Sequence, residues 1–152
     1  MDFDFIKYLG KTIISINPTE NCNIISPKFE WLELPNSKSL FHTDNDCGLP
    51  IGNLTSQLMS NVYLNELDQF IKRKFKCKHY GRYVDDFYIV SCDKEFLHEI
   101  IPKIIFFLKE NLLLDIHDGK TKITNIKQGI EFLGAFIKPY RTYISNKTLK
   151  RI

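Results

Sequence analysis

Asp85 and Asp86 are neighbouring carboxylates set between Tyr80-Gly81-Arg82-Tyr83-Val84 and Phe87-Tyr88-Ile89-Val90-Ser91. Aromatic and β-branched residues on both sides predict a β-hairpin that carries the two acids at its turn. Side by side the charges repel, and apolar flanks would draw them toward a low-dielectric interior, so a cation is expected to hold both ionised. A hard divalent ion suits carboxylate oxygens, and Mg²⁺ is held through one or two protein carboxylates with substrate phosphates beside them. Asp-Asp is also an ordinary polar turn, since Asp favours turns on its own account. The pair alone does not choose between the two readings.

A second stretch with chemical potential lies upstream. Gly48-Leu49-Pro50-Ile51-Gly52 leads into Leu54, Leu58, Val62, Leu64, Leu67 and Ile71, whose three- and four-residue spacing predicts a helix from Asn53 to near Phe75. Asn53 or Thr55 can serve as its N-cap. A glycine-containing loop at a helix N-terminus presents backbone N–H groups to a phosphate or a nucleotide edge, or it simply permits a tight turn. Lys72, Arg73, Lys74, Lys76, Lys78 and Arg82 then crowd the approach to the acids. Such a cluster suits a phosphate backbone, or it complements the dipole at a helix end.

The remaining elements must position these groups. Residues 3–16 have near-helical apolar spacing, and residues 17–47 carry Pro18, Pro27 and Pro35 in a long irregular connection, with Trp31 and Phe41 tacking parts of it down. After the hairpin, Asp93 caps an amphipathic helix to about Asn111, which Pro102 is expected to kink or delay. Leu112–Ile116 and Ile123–Ile126 read as short strands, with an Asp118-Gly119 turn and Lys120 between them. Ile130–Lys138 and Thr142–Ser145 read as a closing hairpin around Pro139-Tyr140-Arg141. Hairpins without regular β-α-β crossovers predict an α+β fold, an antiparallel sheet with helices packed on one face.

With 152 residues and 43% apolar content, the chain has the makings of one globular domain, residues 1–152. A net charge of +3 permits nucleic-acid binding without demonstrating it. Cys22, Cys47, Cys77 and Cys92 form no metal-binding spacing and are expected as free thiols. No leader pattern and no membrane-length apolar run is present, so a cytoplasmic protein without a membrane partner is expected.

Four stretches in order carry a family resemblance. Tyr83-Val84-Asp85-Asp86 resembles the catalytic turn of reverse transcriptases, and Gly48-Leu49-Pro50-Ile51-Gly52-Asn53-Leu54-Thr55-Ser56-Gln57 resembles the motif that precedes it. Lys120-Thr121 and Gly129-Ile130-Glu131-Phe132-Leu133-Gly134-Ala135-Phe136-Ile137 resemble the two that follow. The resemblance implies a polymerase palm, incomplete because fingers and thumb are missing, that adds dNTPs to a DNA or RNA primer on an RNA template. It implies Mg²⁺ or Mn²⁺ at Asp85, with Asp86 a weaker ligand. Gly52, Asn53, Ser56, Gln57, Arg82 and Tyr83 would line the nucleotide and template, Lys120 would give a proton to pyrophosphate, and Phe132, Leu133 and Gly134 would support the primer.

The family's first catalytic aspartate has only Asp2 and Asp4 as candidates, ahead of a helix rather than on a strand. The expectation is therefore a palm fragment of a longer enzyme, inactive alone, with uncovered apolar faces that invite a homodimer. Ile51, where the common pattern has Gln, resembles the enzymes of bacterial diversity-generating retroelements, with retron and group II intron enzymes as neighbours and a retroelement accessory protein as a possible partner. Alternatives are an RNA-templated RNA polymerase palm, a non-catalytic palm remnant that binds RNA or protein, and an unrelated α+β domain with a fortuitous Asp-Asp turn.

Overall fold

The computed structural model describes residues 2–36, 39–42 and 53–150. Gly52 and the loop ahead of it, with Cys47, lie outside these residues. The chain divides into two compact units, Met1–Val62 and Tyr63–Ile152.

In the first unit, α1 spans Phe3–Ser15 and is capped by Asp2, whose carboxylate accepts the Asp4 N–H. This use of Asp2 is the ordinary N-cap bond that satisfies one orphan donor of the first turn. Phe3, Phe5, Ile6, Tyr8, Leu9 and Ile14 stay exposed along α1. Asn17 closes the following turn by accepting from the Thr19 N–H and hydroxyl. Short 3₁₀ turns at Lys28–Trp31 and Leu40–His42 bring the Trp31 and Phe41 rings to 5.5 Å, and the Trp31 indole donates to Ser26 Oγ at 2.8 Å. The expected tacking of this connection is thus present.

All six buried apolar residues among the described residues lie in the second unit: Leu67, Ile71, Ile100, Ile104, Leu108 and Leu112. Helix α2 (Leu54–Gln69) is continued by a π-helical turn over Phe70–Lys74. Helix α3 (Lys94–Leu112) begins at Asp93, whose Oδ1 accepts the Phe96 N–H at 3.0 Å. Its four buried residues recur every fourth position, which draws one stripe along a single face. Each such side chain contributes about 1.5–3 kcal/mol when fully buried. Phe70 stacks on Phe107 with ring centroids 3.9 Å apart, extending the seam between the two helices.

Pro102 does not break α3, which runs through it. Pro102 lies on the exposed side of the helix, and the buried stripe on the other side holds the helix in place. Leu113 ends the helix in the left-handed region (φ 49°), and both its N–H and that of Leu114 reach the Leu108 carbonyl.

Strands β1 (His79–Tyr83) and β2 (Asp86–Val90) form one antiparallel hairpin, and β3 (Ile130–Phe132), β4 (Ala135–Lys138) and β5 (Arg141–Ile144) form a separate three-stranded meander. A last short helix, α4, covers Asn146–Leu149. The α+β class holds, but the sheet is two small sheets rather than one. Two expected strands do not form. Leu112–Ile116 loses its β geometry because Leu112 completes α3 and Leu113 turns left-handed to cap it. Ile123–Ile126 is irregular and passes into a turn in which Asn125 takes the Gln128 N–H on its carbonyl and the Lys127 N–H on its side chain. Local Asn bonding offers the backbone an alternative to a ladder.

Among the described residues no helix is long and apolar enough to cross a membrane. Cys22, Cys77 and Cys92 are free thiols.

Candidate active site

The hairpin register pairs Tyr83 with Asp86, so Val84 and Asp85 are the two central turn residues. Val84 has φ 54° and Asp85 is not in the positive-φ region, the φ pattern of a type II′ turn whose first position is ordinarily Gly. A β-branched residue there is strained, at a cost on the order of 1–3 kcal/mol. The surrounding contacts must therefore impose the turn.

Strand alternation supplies them. Tyr80, Arg82, Phe87 and Ile89 lie on the face toward the helices, and Tyr80, Phe87 and Ile89 pack against the core. Gly81, Tyr83, Asp86 and Tyr88 share the opposite face. Arg82 donates from Nε and Nη2 to the two carboxylate oxygens of Asp68 on α2, both at 2.8 Å, and from Nη1 to the Val84 carbonyl at 2.7 Å. The Tyr80 hydroxyl donates to Asp68 Oδ1 at 2.5 Å. One planar guanidinium thus bridges a helix and the strained turn, a geometry a lysine cannot reproduce.

The ionisation of this cluster follows. The Arg82 hydrogen bond, outweighing the cost of burial, holds the Asp68 carboxyl below its usual value, and the Tyr80 hydroxyl and the Arg82 charge assist. Burial first, and then the bond to Asp68, pushes the Tyr80 phenol well above its ordinary range. Asp68 likewise raises Arg82.

Asp85 and Asp86 are both exposed. The expected low-dielectric setting is not met, because alternation turns the apolar neighbours inward and leaves the acids at the tip. Water screens their repulsion, and their oxygens are open to a ligand. Two adjacent open carboxylates fit a hard divalent ion that completes its shell with phosphate and water. Among the described residues, no group of three or more His, Cys, Asp and Glu side chains is placed to hold a metal.

The other expected site residues fall as follows. Tyr83 is exposed beside the acids. Arg82 is turned inward and engaged with Asp68 and Val84, while Lys72, Arg73, Lys74, Lys76 and Lys78 stay exposed around the end of α2. Lys72 lies over the Tyr80 ring and Lys74 over Phe70. Asn53 precedes α2 and its carbonyl accepts the Gln57 N–H; Ser56 is partly buried and Gln57 exposed, all in the first unit. Lys120 is exposed at the end of a 3₁₀ turn, Asp118–Lys120, capped by the His117 ring.

Phe132 does meet the hairpin. Tyr88 lies across Gly81, where a Cβ would come within 2.6 Å of its hydroxyl oxygen and 2.7 Å of its ring, and presents its own ring edge-on to Phe132 at 5.4 Å. Leu133 and Gly134 form the β3–β4 turn, both with positive φ as a type I′ turn requires. The Gly134 carbonyl accepts the Ser145 N–H and the Thr148 hydroxyl, which ties that turn to α4. Sequence reasoning missed Asp68, Tyr80 and Tyr88 as positioning residues. Asp68 carried no motif; only its match to an arginine fourteen residues away in sequence could have flagged it.

The family model for reverse transcriptase (RNA-dependent DNA polymerase) matches residues 14–137. The chain belongs to the reverse transcriptase family. The matched span holds the acid hairpin, the Asp68 clamp, Lys120 and the Phe132–Gly134 turn of this reverse transcriptase domain. Reverse transcriptase domains generally use Mg²⁺, and the family implies a nucleic-acid template and a primer. A search of curated proteins finds no significant match.

Proposed function

We propose that this reverse transcriptase domain serves RNA-directed DNA synthesis, with Asp85 and Asp86 holding the divalent ion and dNTPs as substrates. The observation that carries the reading is the solvent-facing acid pair on a strained turn held in one conformation by Arg82 and Asp68. Divalent ions bound there would lower the pKa of the attacking hydroxyl and steady the leaving pyrophosphate. Asp85 is the principal ligand in this reading and Asp86 the weaker. Arg82 positions the turn rather than touching substrate, Tyr83 lies beside the nucleotide, and Lys120 supplies a proton to pyrophosphate. Gly52, Asn53, Ser56 and Gln57 line the nucleotide and template. Phe132, Leu133 and Gly134 support the primer, and Ile51 favours the diversity-generating retroelement type.

A second reading is a non-catalytic palm that binds RNA or protein. What favours it is the gathering of only two carboxylates among the described residues. Primer extension on an RNA template with Mg²⁺ or Mn²⁺ separates the two. It is run with this chain and with a form extended upstream through an aspartate-bearing strand. Extension by either form, abolished by Asp85→Asn, supports the polymerase; extension that survives Asp85→Asn, or none from either form, refutes it.

A further inference from the structure

The β3–β5 meander has two unlike faces. Register pairs Phe132 with Ala135, Ile130 with Ile137 and Ala135 with Ile144, so these apolar residues share the face that carries Phe132 to Tyr88. Phe136, Lys138, Arg141 and Tyr143 lie on the other, because Phe136 pairs with Tyr143 and Lys138 with Arg141. That second face points away from the Phe132 contact and so from the acid hairpin.

An open hollow of about 460 Å³ lies there, lined by Lys127, Lys138, Pro139, Tyr140, Arg141 and Tyr143. Three cations and two phenol rings line it, with no carboxylate; Glu131, the acid on this face of β3, is not in the lining. Lys127, Lys138 and Arg141 are exposed, and Tyr143 is about half exposed. Gly129 (φ 83°) makes the arrangement possible, since a Cβ there would lie 2.8 Å from Lys138 Cγ and 2.9 Å from the Phe136 ring.

Tyr140 is the most telling residue. It is fully exposed, at 104% of its reference area, and holds φ 63° at the second central position of the Pro139-Tyr140 turn. Pro followed by positive φ is a type II turn, in which Gly is the favoured second residue. A bulky aromatic there is strained and covers no apolar surface, so folding gains little from it. A ring held outward beside cations is what a nucleobase stacks on while the phosphates meet Lys and Arg.

We propose that this face binds single-stranded RNA at a site separate from the acid hairpin. Cation clustering selects a polyanion, and the outward ring selects one with bases over a bare polyanion or a lipid headgroup. The choice of RNA over DNA rests on the polymerase reading above, in which RNA is the template.

The test is fluorescence anisotropy of the full chain with a labelled 12-mer RNA, without divalent ion or dNTPs, so that a failure of catalysis does not register. Lys127→Ala/Arg141→Ala is expected to weaken binding about tenfold and to flatten the log-affinity against log-salt slope by about 1.4. Tyr140→Ala is expected to weaken binding at least about fivefold, with Tyr140→Phe retaining it. Tyr140→Gly is expected to lose binding equally while melting no lower than the parent, because Gly relieves the turn. Unchanged affinity in these variants, Asp85→Asn weakening binding as much as they do, equal displacement by heparin, or tighter binding to phosphatidylserine vesicles overturns the proposal. DNA bound as tightly as RNA overturns the commitment to RNA.

Discussion

Replacing Asp68 with Ala removes the partner of an arginine whose side chain is only 9% exposed. Three hydrogen bonds end on the Asp68 carboxylate, two from Arg82 and one from Tyr80. Charged hydrogen bonds are worth about 1.5–3 kcal/mol each, yet they share one acceptor group, and orphaning one partner of a fully buried pair costs about 3–5 kcal/mol. Asp68 is 18% exposed, so partial solvation lowers the expected loss to about 2–3 kcal/mol. That is a large part of a domain stability of about 5–15 kcal/mol. Urea unfolding of Asp68→Ala, Arg82→Ala and the double variant should give a coupling of about 1.5–2 kcal/mol.

The pH dependence has a definite sign. Asp68 is depressed in the folded state, so its contribution is present above the unfolded value of about 4 and fades as pH falls through the lower folded value. Tyr80 is raised, so its contribution is present below about 10 and fades as pH rises beyond it. Asp68→Asn should remove the acid limb and only partly reduce the alkaline one, because burial, the largest cause of the Tyr80 shift, remains. Coupling below about 0.5 kcal/mol, with both limbs unchanged, would refute the clamp.

Three further outcomes follow from particular contacts. Gly81→Ala should force the Tyr88 ring off β1 and away from Phe132, lowering stability by about 1–3 kcal/mol in chemical denaturation and changing the Tyr88 ring signals in NMR. Val84→Gly should raise the melting temperature, since Gly accepts φ 54° without strain, while adding backbone freedom to the acid turn that hydrogen exchange at Asp85 would register. Ile104→Ala should cost about 2–5 kcal/mol by urea unfolding, because Ile104 is 3% exposed in the middle of the α3 stripe.

Periodicity and local chemistry made much of the chain legible beforehand. The stripe from Ile100 to Leu108, the Asp93 cap and the hairpin around the acids depend on residues close together in sequence, and all three form. Spacing misled where a local alternative competed. Leu112–Ile116 reads as a strand until Leu113 is needed to cap α3, and Ile123–Ile126 until Asn125 bonds its own neighbours.

At the candidate site the division is similar. Sequence by itself determined the family and the hairpin around the two acids, because both are carried by residue type and order; register then put Val84 and Asp85 at the turn and Asp86 at the start of β2. Only the tertiary structure decided that Arg82 faces Asp68 and the Val84 carbonyl, that Tyr88 reaches Phe132 across Gly81, and that the cations of the last meander share a face with Tyr143. Those facts depend on register and on the packing of α2 against the hairpin. A one-residue slip of β1 against β2 would send Arg82 to the solvent face and break its contact with Asp68.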